Sequence, residues 1–143
     1  MHQDLINKLL NRQNDTNKYD YGHVLIVGGA TGMVGAPLLS AMAALRIGAG
    51  LVTIASAENV IEKLEKRVLE VMTLRIPDNK ENAIKTLTDF ILERRVSVVV
   101  FGPGMNGEMG DIVKGIVHKL KIPIILDAGA ITTFKNDLTK LLT

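Results

Sequence analysis

The feature that most restricts this chain is a series of short, almost wholly apolar, β-branched runs separated by segments of helical length. HVLIVG at 23–28, LVTIA at 51–55, VSVVVF at 96–101 and IPIIL at 122–126 show little alternation between polar and apolar residues. A strand that is apolar on both sides is one covered on both sides, which is the signature of a parallel sheet between helical layers. The intervening segments supply those layers. Residues 35–47 (GAPLLSAMAALRI) read as a helix stopped by Gly-Ala-Gly at 48–50. Residues 59–68 form a charged helix, with Glu62 and Lys66 four apart on a solvated face. Residues 81–95 carry an apolar stripe of Ile84, Leu87, Phe90 and Ile91. Residues 108–120 and 131–142 complete the helices, residues 72–76 add a weaker strand, and Pro123 is tolerable at the opening of its strand. The pattern predicts an α/β fold, a parallel sheet with helices on both faces. A chain of 143 residues suffices for one such core. Residues 1–17 are expected to form a leading helix and a polar loop (NRQNDTNK at 11–18), ahead of the domain at 18–143.

Composition removes several classes of function. Cysteine is absent, so no disulfide, thiolate nucleophile or cysteine-ligated metal is available, and a reducing cytoplasm fits. The net charge is +2 with both signs interspersed, and aromatic residues make up 3%. This argues against nucleic acid as a partner, which wants a basic patch and rings to stack on. The terminus MHQDLINKLL has Asp4 inside its apolar run and no small-residue cleavage pattern, unlike a signal peptide. No stretch approaches the roughly 20 apolar residues of a membrane span.

In a parallel sheet the loops at the carboxyl ends of the strands share one edge and form the ligand crevice. That rule makes neighbours of GGATGMVGA (28–36), GPGMNG (102–107) and DAGA (127–130). Glycine lets a ligand approach the backbone, and the helix opening at Gly35 would aim its positive end at a phosphate. Each piece also has a simpler reading, the first two as tight turns and Asp127 as a helix N-cap. His23, inside a strand, and His118, on a charged helix, read as structural or solvated; Met33, Met42 and Met72 read as core filler.

Gly29, Gly32 and Gly35 can be aligned with a dinucleotide-binding fingerprint, which would make the chain an NAD(P)-dependent reductase. The rest of the sequence does not support it. Such a fold wants an acid at the end of the second strand for the ribose hydroxyl, but LVTIA runs into Ser56 and Ala57, with Glu58 arriving late. Both tyrosines, Tyr19 and Tyr21, precede the first strand.

Taken together, KYDYGHVLIVGGA at 18–30, GAPLL at 35–39, AALRIGAGLVT at 43–53, LEVMT at 69–73, GPG at 102–104 and ILDA at 125–128 resemble the amino-terminal half of the ADP- or ATP-dependent NAD(P)H-hydrate dehydratases. These are ribokinase-like proteins formerly described as carbohydrate kinases. The resemblance implies a partial ribokinase-like fold and a repair lyase that removes water from hydrated NADH or NADPH at the expense of ADP or ATP, with Mg²⁺. It also implies that Ala36 and Gly104 contact the hydrated dinucleotide, with Gly28, Gly29, Gly35, Gly102 and Asp127 shaping the same crevice. No catalytic residue is implied within this chain.

Two positions depart from the family pattern. Gly129 replaces the second acid of a D-A-D-A motif, and Asn106 stands where a glycine is usual. The family's later motifs, including the G-T-G-D turn with its anion hole and catalytic Asp, do not occur in these 143 residues. The resemblance therefore implies a half-length dehydratase that associates with itself or with a second-half subunit. A non-catalytic nucleotide-binding or assembly module is the alternative.

Overall fold

The computed structural model describes residues 3, 4, 6, 7 and 14–136. Strands β1 (His23–Val27), β2 (Leu51–Ser56), β3 (Met72–Arg75), β4 (Val98–Phe101) and β5 (Ile124–Leu126) form one sheet. Every pairing is parallel and the order is β3-β2-β1-β4-β5. Helices α1 (Gly35–Arg46), α2 (Glu58–Leu64), α3 (Lys80–Glu93), α4 (Gly110–Ile116) and α5 (Ala128–Thr133) connect and cover it. The chain winds outward through α1 and α2, then α3 carries it back past β1 to start β4 on the other side. The carboxyl ends of β1 and β4 therefore flank the point where the winding reverses, which is where open α/β sheets bind ligands.

Two apolar clusters sit on opposite faces of the sheet. Leu25, Val27, Val99 and Phe101 pack with Leu87 and Ile91 of α3, Val113 and Ile116 of α4, and Ala130 of α5. Ile26, Val52 and Ile54 pack on the other side with Ala41 of α1 and Val60, Ile61 and Leu64 of α2. The expected layers on both faces are thus present. Among the described residues, no helix is long and apolar enough to cross a membrane.

Several expected elements differ in detail. The segment at 108–120 is three pieces: a 3₁₀ turn at Gly107–Met109, α4, and a second 3₁₀ turn at Val117–Lys119. Inside α4, a β-carbon on Gly110 would press on Thr133 Oγ1 at 2.6 Å, so α5 closes in where that glycine stands. The charged helix ends at Leu64, four residues short of expectation. The last helix begins at Ala128 instead of 131 and ends at Thr133, with 134–136 in a turn; the rest of the expected helix, 137–142, falls outside the described residues, as does most of the leading helix.

His23 is structural, as its position suggested. It is buried at the start of β1, with Nδ1 3.1 Å from the Arg94 carbonyl and Nε2 2.8 Å from Thr53 Oγ1. A carbonyl can only accept, so Nδ1 carries the proton and the Thr53 hydroxyl donates to Nε2. His118 is exposed. Met42 packs against the second cluster, but Met33 is no core filler: it is 44% exposed. It lies in the loop between β1 and α1, beyond the sheet edge, where no neighbouring layer can cover it.

Candidate functional site

The three loops singled out in the sequence meet at the carboxyl edge of the sheet, and their backbones interlock. The Gly29 N–H donates to the Pro103 carbonyl at 2.9 Å, and the Gly28 N–H continues the ladder to the Ala55 carbonyl at 3.1 Å. A β-carbon on Gly28 would collide with that same Pro103 carbonyl. One on Gly102, whose φ is +121°, would collide with the Asp127 carbonyl, and the Gly102 N–H donates to Val27 at 3.0 Å. Gly28, Gly29 and Gly102 are all buried. At the rim they let backbone meet backbone, and their amides are engaged within the protein.

What reaches the surface is Gly35, Ala36, Gly104 and Asp127. Gly35 opens α1 and has nothing within 4 Å of where a β-carbon would stand. Val34 precedes it and provides no side-chain cap, so the first-turn amides of α1 keep their positive end unneutralised by a side chain. Ala36, half-buried, faces Gly104: a β-carbon on Gly104 would lie 3.2 Å from that of Ala36 and would press on the Met33 carbonyl. Only small residues fit where these two loops close. Asp127 occupies the N-cap position of α5, but its exposed side chain makes no capping hydrogen bond. Its carboxylate is free to face solvent at the rim.

The features a reductase would need are engaged elsewhere. Glu58, the acid after β2, receives Arg75 Nε at 2.6 Å, and Arg75 also makes a paired contact with Glu65 at 2.8 and 2.9 Å. This pairing holds the Glu65 carboxyl below its ordinary range, chiefly through the Arg75 hydrogen bond. Tyr19 and Tyr21 lie in a 3₁₀ turn at Lys18–Tyr21, which leads into the amino end of β1 and so lies at the edge opposite the crevice.

The sequence reading did not foresee two clefts beside the loop that follows β4. One, of about 420 Å³, is lined by Asn106, Asp111, Lys114, Gly129, Thr132 and Lys135 among others. The other, about 330 Å³, lies between Ile76, Pro77 and Asp78 on one side and Glu108 and Met109 on the other. Both departures from the family pattern, Asn106 and Gly129, line the first cleft, which was the only signal available in the sequence. A β-carbon on Gly129 would collide with the Met105 carbonyl, so the missing acid could not stand there without moving that loop. Among the described residues, no group of three or more His, Asp or Glu side chains is arranged to hold a metal ion.

A parallel sheet with this winding reversal and this glycine-lined rim is the architecture of a doubly wound α/β protein, and its structural likeness is to the ribokinase-like superfamily. A ribokinase-like superfamily protein from Enterococcus faecalis superposes with a TM-score of 0.76 at 26% identity, over 94% of this chain and 46% of that one. More narrowly, the chain belongs to the NAD(P)H-hydrate dehydratase family, whose model matches residues 24–141. It is 34% identical over 137 residues to the ADP-dependent (S)-NAD(P)H-hydrate dehydratase of Streptococcus pneumoniae, covering 92% of this chain and 45% of the relative. It is 37% identical over 141 residues to the bifunctional NAD(P)H-hydrate repair enzyme Nnr of Moorella thermoacetica, covering 95% of this chain and 26% of that protein. The ADP/ATP-dependent NAD(P)H-hydrate dehydratase of Bacillus subtilis, co-crystallized with ATP/Mg²⁺, superposes with a TM-score of 0.66 at 31% identity, over 84% of this chain and 42% of that one. The chain thus spans less than half the length of each of these relatives.

Proposed function

We propose that this chain is the substrate-binding half of an ADP- or ATP-dependent NAD(P)H-hydrate dehydratase, acting in the cytoplasm. Hydrated NADH or NADPH lies across the carboxyl edge, against Ala36 and Gly104, with Gly35 and Asp127 at its margins and Gly28, Gly29 and Gly102 forming the floor. The observation that carries this reading is the meeting of Ala36 and Gly104. The uncapped start of α1 stands beside a junction that admits only small residues. A dinucleotide brings phosphates, which such a helix start attracts. The family membership supplies the identity of that dinucleotide.

No catalytic role falls on this chain in our reading. Phosphoryl chemistry needs positioned donors and a base, and the family's G-T-G-D turn does not occur in the sequence. Mg²⁺ finds no set of ligands among the described residues, so no step is routed through it here. ADP or ATP would be held by the part of the fold that the relatives possess beyond the matched segment.

Calorimetric titration of the purified chain with hydrated NADH tests the site. Ala36→Arg crowds the rim of the crevice and is expected to abolish binding while leaving the far-ultraviolet circular dichroism unchanged. Binding that survives the substitution places the site elsewhere. ADP-dependent dehydration by this chain alone would overturn the assignment of catalysis to the remainder of the fold.

A further inference from the structure

The smaller of the two clefts, about 330 Å³, stands by the ends of β2 and β3, the margin of the sheet away from β5, and the crevice at Ala36 and Gly104 makes no use of it. Its volume falls at the lower end of the range for small-molecule sites, roughly 300–1,000 Å³. Three side chains build its floor. Ile76 extends the β3 ladder, its N–H donating to the Ser56 carbonyl at 2.8 Å, while Met109 and Ile112 come from the 3₁₀ turn before α4 and from α4 itself. All three belong to the first core cluster. Ala57, directly after β2, adds to the wall.

Both charged residues that line the cleft, Asp78 and Glu108, are acids, and they stand on opposite sides of it. Asn106 Nδ2 donates to Glu108 Oε2 at 3.0 Å, which steadies that carboxylate and leaves its other oxygen to accept. Asp78 makes no ion pair among the described residues. An apolar seat with carboxylate acceptors at its rim suits a flat ring whose attached groups donate hydrogen bonds. It repels a phosphate.

The cleft and the crevice share their walls. The loop carrying Gly104 runs on through Asn106 to Glu108 and Met109, so one segment borders both. On the other side the first glycine loop leans on the end of β2: a β-carbon on Gly29 would stand 3.3 Å from Ser56 Oγ and 2.9 Å from Val60 Cγ1, and Ala57 follows Ser56 directly. A dinucleotide whose diphosphate faces the start of α1 sends its two nucleosides outward along this rim. Dinucleotide-binding folds hold the adenosine ribose with an acid at the end of the second strand. Here that place is taken by Ala57, and the acids arrive from the loops after β3 and β4.

We propose that this cleft receives the adenosine end of the dinucleotide, with the base on Met109, Ile76 and Ile112 and the ribose hydroxyls donating to Asp78 and Glu108, so that the chain selects hydrated NADH over hydrated NADPH. The extra phosphate of NADPH sits on that ribose and meets two like charges. The inference rests on the reading of Ala36 and Gly104 as the crevice. The larger cleft suits a base less well, since it carries Lys114 and Lys135 and the hydroxyls of Thr132 and Thr133 are engaged with the Ala128 and Gly129 carbonyls.

Calorimetric titration of the full chain with hydrated NADH and, separately, with hydrated NADPH tests the selection. Hydrated NADH is expected to bind at least about tenfold more tightly at low salt, and the ratio should fall as salt screens the carboxylates. Asp78→Lys, on an exposed loop, should narrow or reverse the preference, and Asp78→Asn combined with Glu108→Gln should narrow it. In the chain labelled at its methionine methyls, the Met109 resonance should move when hydrated NADH is added. Equal affinities in the parent, a preference for hydrated NADPH, a ratio that both variants leave untouched or a Met109 resonance that stays still each overturns the inference and leaves the crevice standing. Binding of neither dinucleotide removes the crevice reading and this inference with it.

Discussion

The Pro103 carbonyl accepts the Gly29 N–H at 2.9 Å and so joins the loop after β1 to the loop after β4 across the mouth of the crevice. The joint tolerates no side chain at the adjacent Gly28, where a β-carbon would meet the same oxygen. Gly28→Ala is therefore expected to lower the unfolding free energy by about 1–3 kcal/mol, the usual cost of overpacking. Gly35→Ala is the counterpart, since the space there is open and the position is helical. It should be neutral or stabilising by up to about 1 kcal/mol, because alanine is the better helix former. Urea denaturation of the two variants and the parent distinguishes the cases.

His23 makes stability depend on pH. Burial disfavours its charged form, and the nearby Arg94 charge acts in the same direction; the hydrogen bond to the Arg94 carbonyl opposes them without cancelling the effect, and the imidazole titrates below its ordinary value. The unfolded chain then binds a proton at a pH where the folded chain does not. The contribution is fully present above the unfolded value of about 6.5 and is lost as pH falls from there through the folded value. Thermal melts between pH 7.5 and 5 should show this decline. His23→Gln, which cannot titrate, should lose that part of the slope while being less stable at pH 7.5.

Asp127 sits at an N-cap without capping. Asp127→Ala should consequently stay within about 0.5 kcal/mol of the parent. A loss nearer the roughly 1 kcal/mol typical of a removed cap would show that the carboxylate turns back onto α5 in solution, and equilibrium unfolding reads the difference directly.

On α3, Leu87 is fully buried and Leu92 is 72% exposed. Leu87→Ala should cost about 2–5 kcal/mol, whereas Leu92→Ala should lie within about 0.5 kcal/mol of the parent. Similar losses in both, measured by denaturant titration, would mean that the helix is rotated about its axis.

That stripe illustrates what the sequence made legible. Ile84, Leu87, Phe90 and Ile91 recur at helical spacing because one side of α3 lies on the sheet, and periodicity records that directly. The four strong strands were equally plain, since sandwiching between layers demands unbroken apolar runs. The strand order was not, because it depends on where α3 carries the chain and no local residue encodes that. The breaks around α4 were hidden for a similar reason: Gly110 answers to Thr133, a partner 23 positions away. That the three glycine- and Asp-bearing corners share one edge was legible too, since it follows from parallel strands alone. The duty of Gly28 and Gly102 was not visible, because a glycine reads the same whether a ligand or another backbone needs its space.

The return crossover has one more consequence. Its exit corner is held to β1 by the Ser97 N–H on the His23 carbonyl at 2.8 Å, the His23 N–H on Ser97 Oγ at 3.1 Å, and the imidazole on Arg94. All three lie at the head of β1, about 13 Å from its tail at a strand rise of roughly 3.3 Å per residue. Protonation of His23 therefore bears on the corner at the back of the molecule, a full strand away from the mouth.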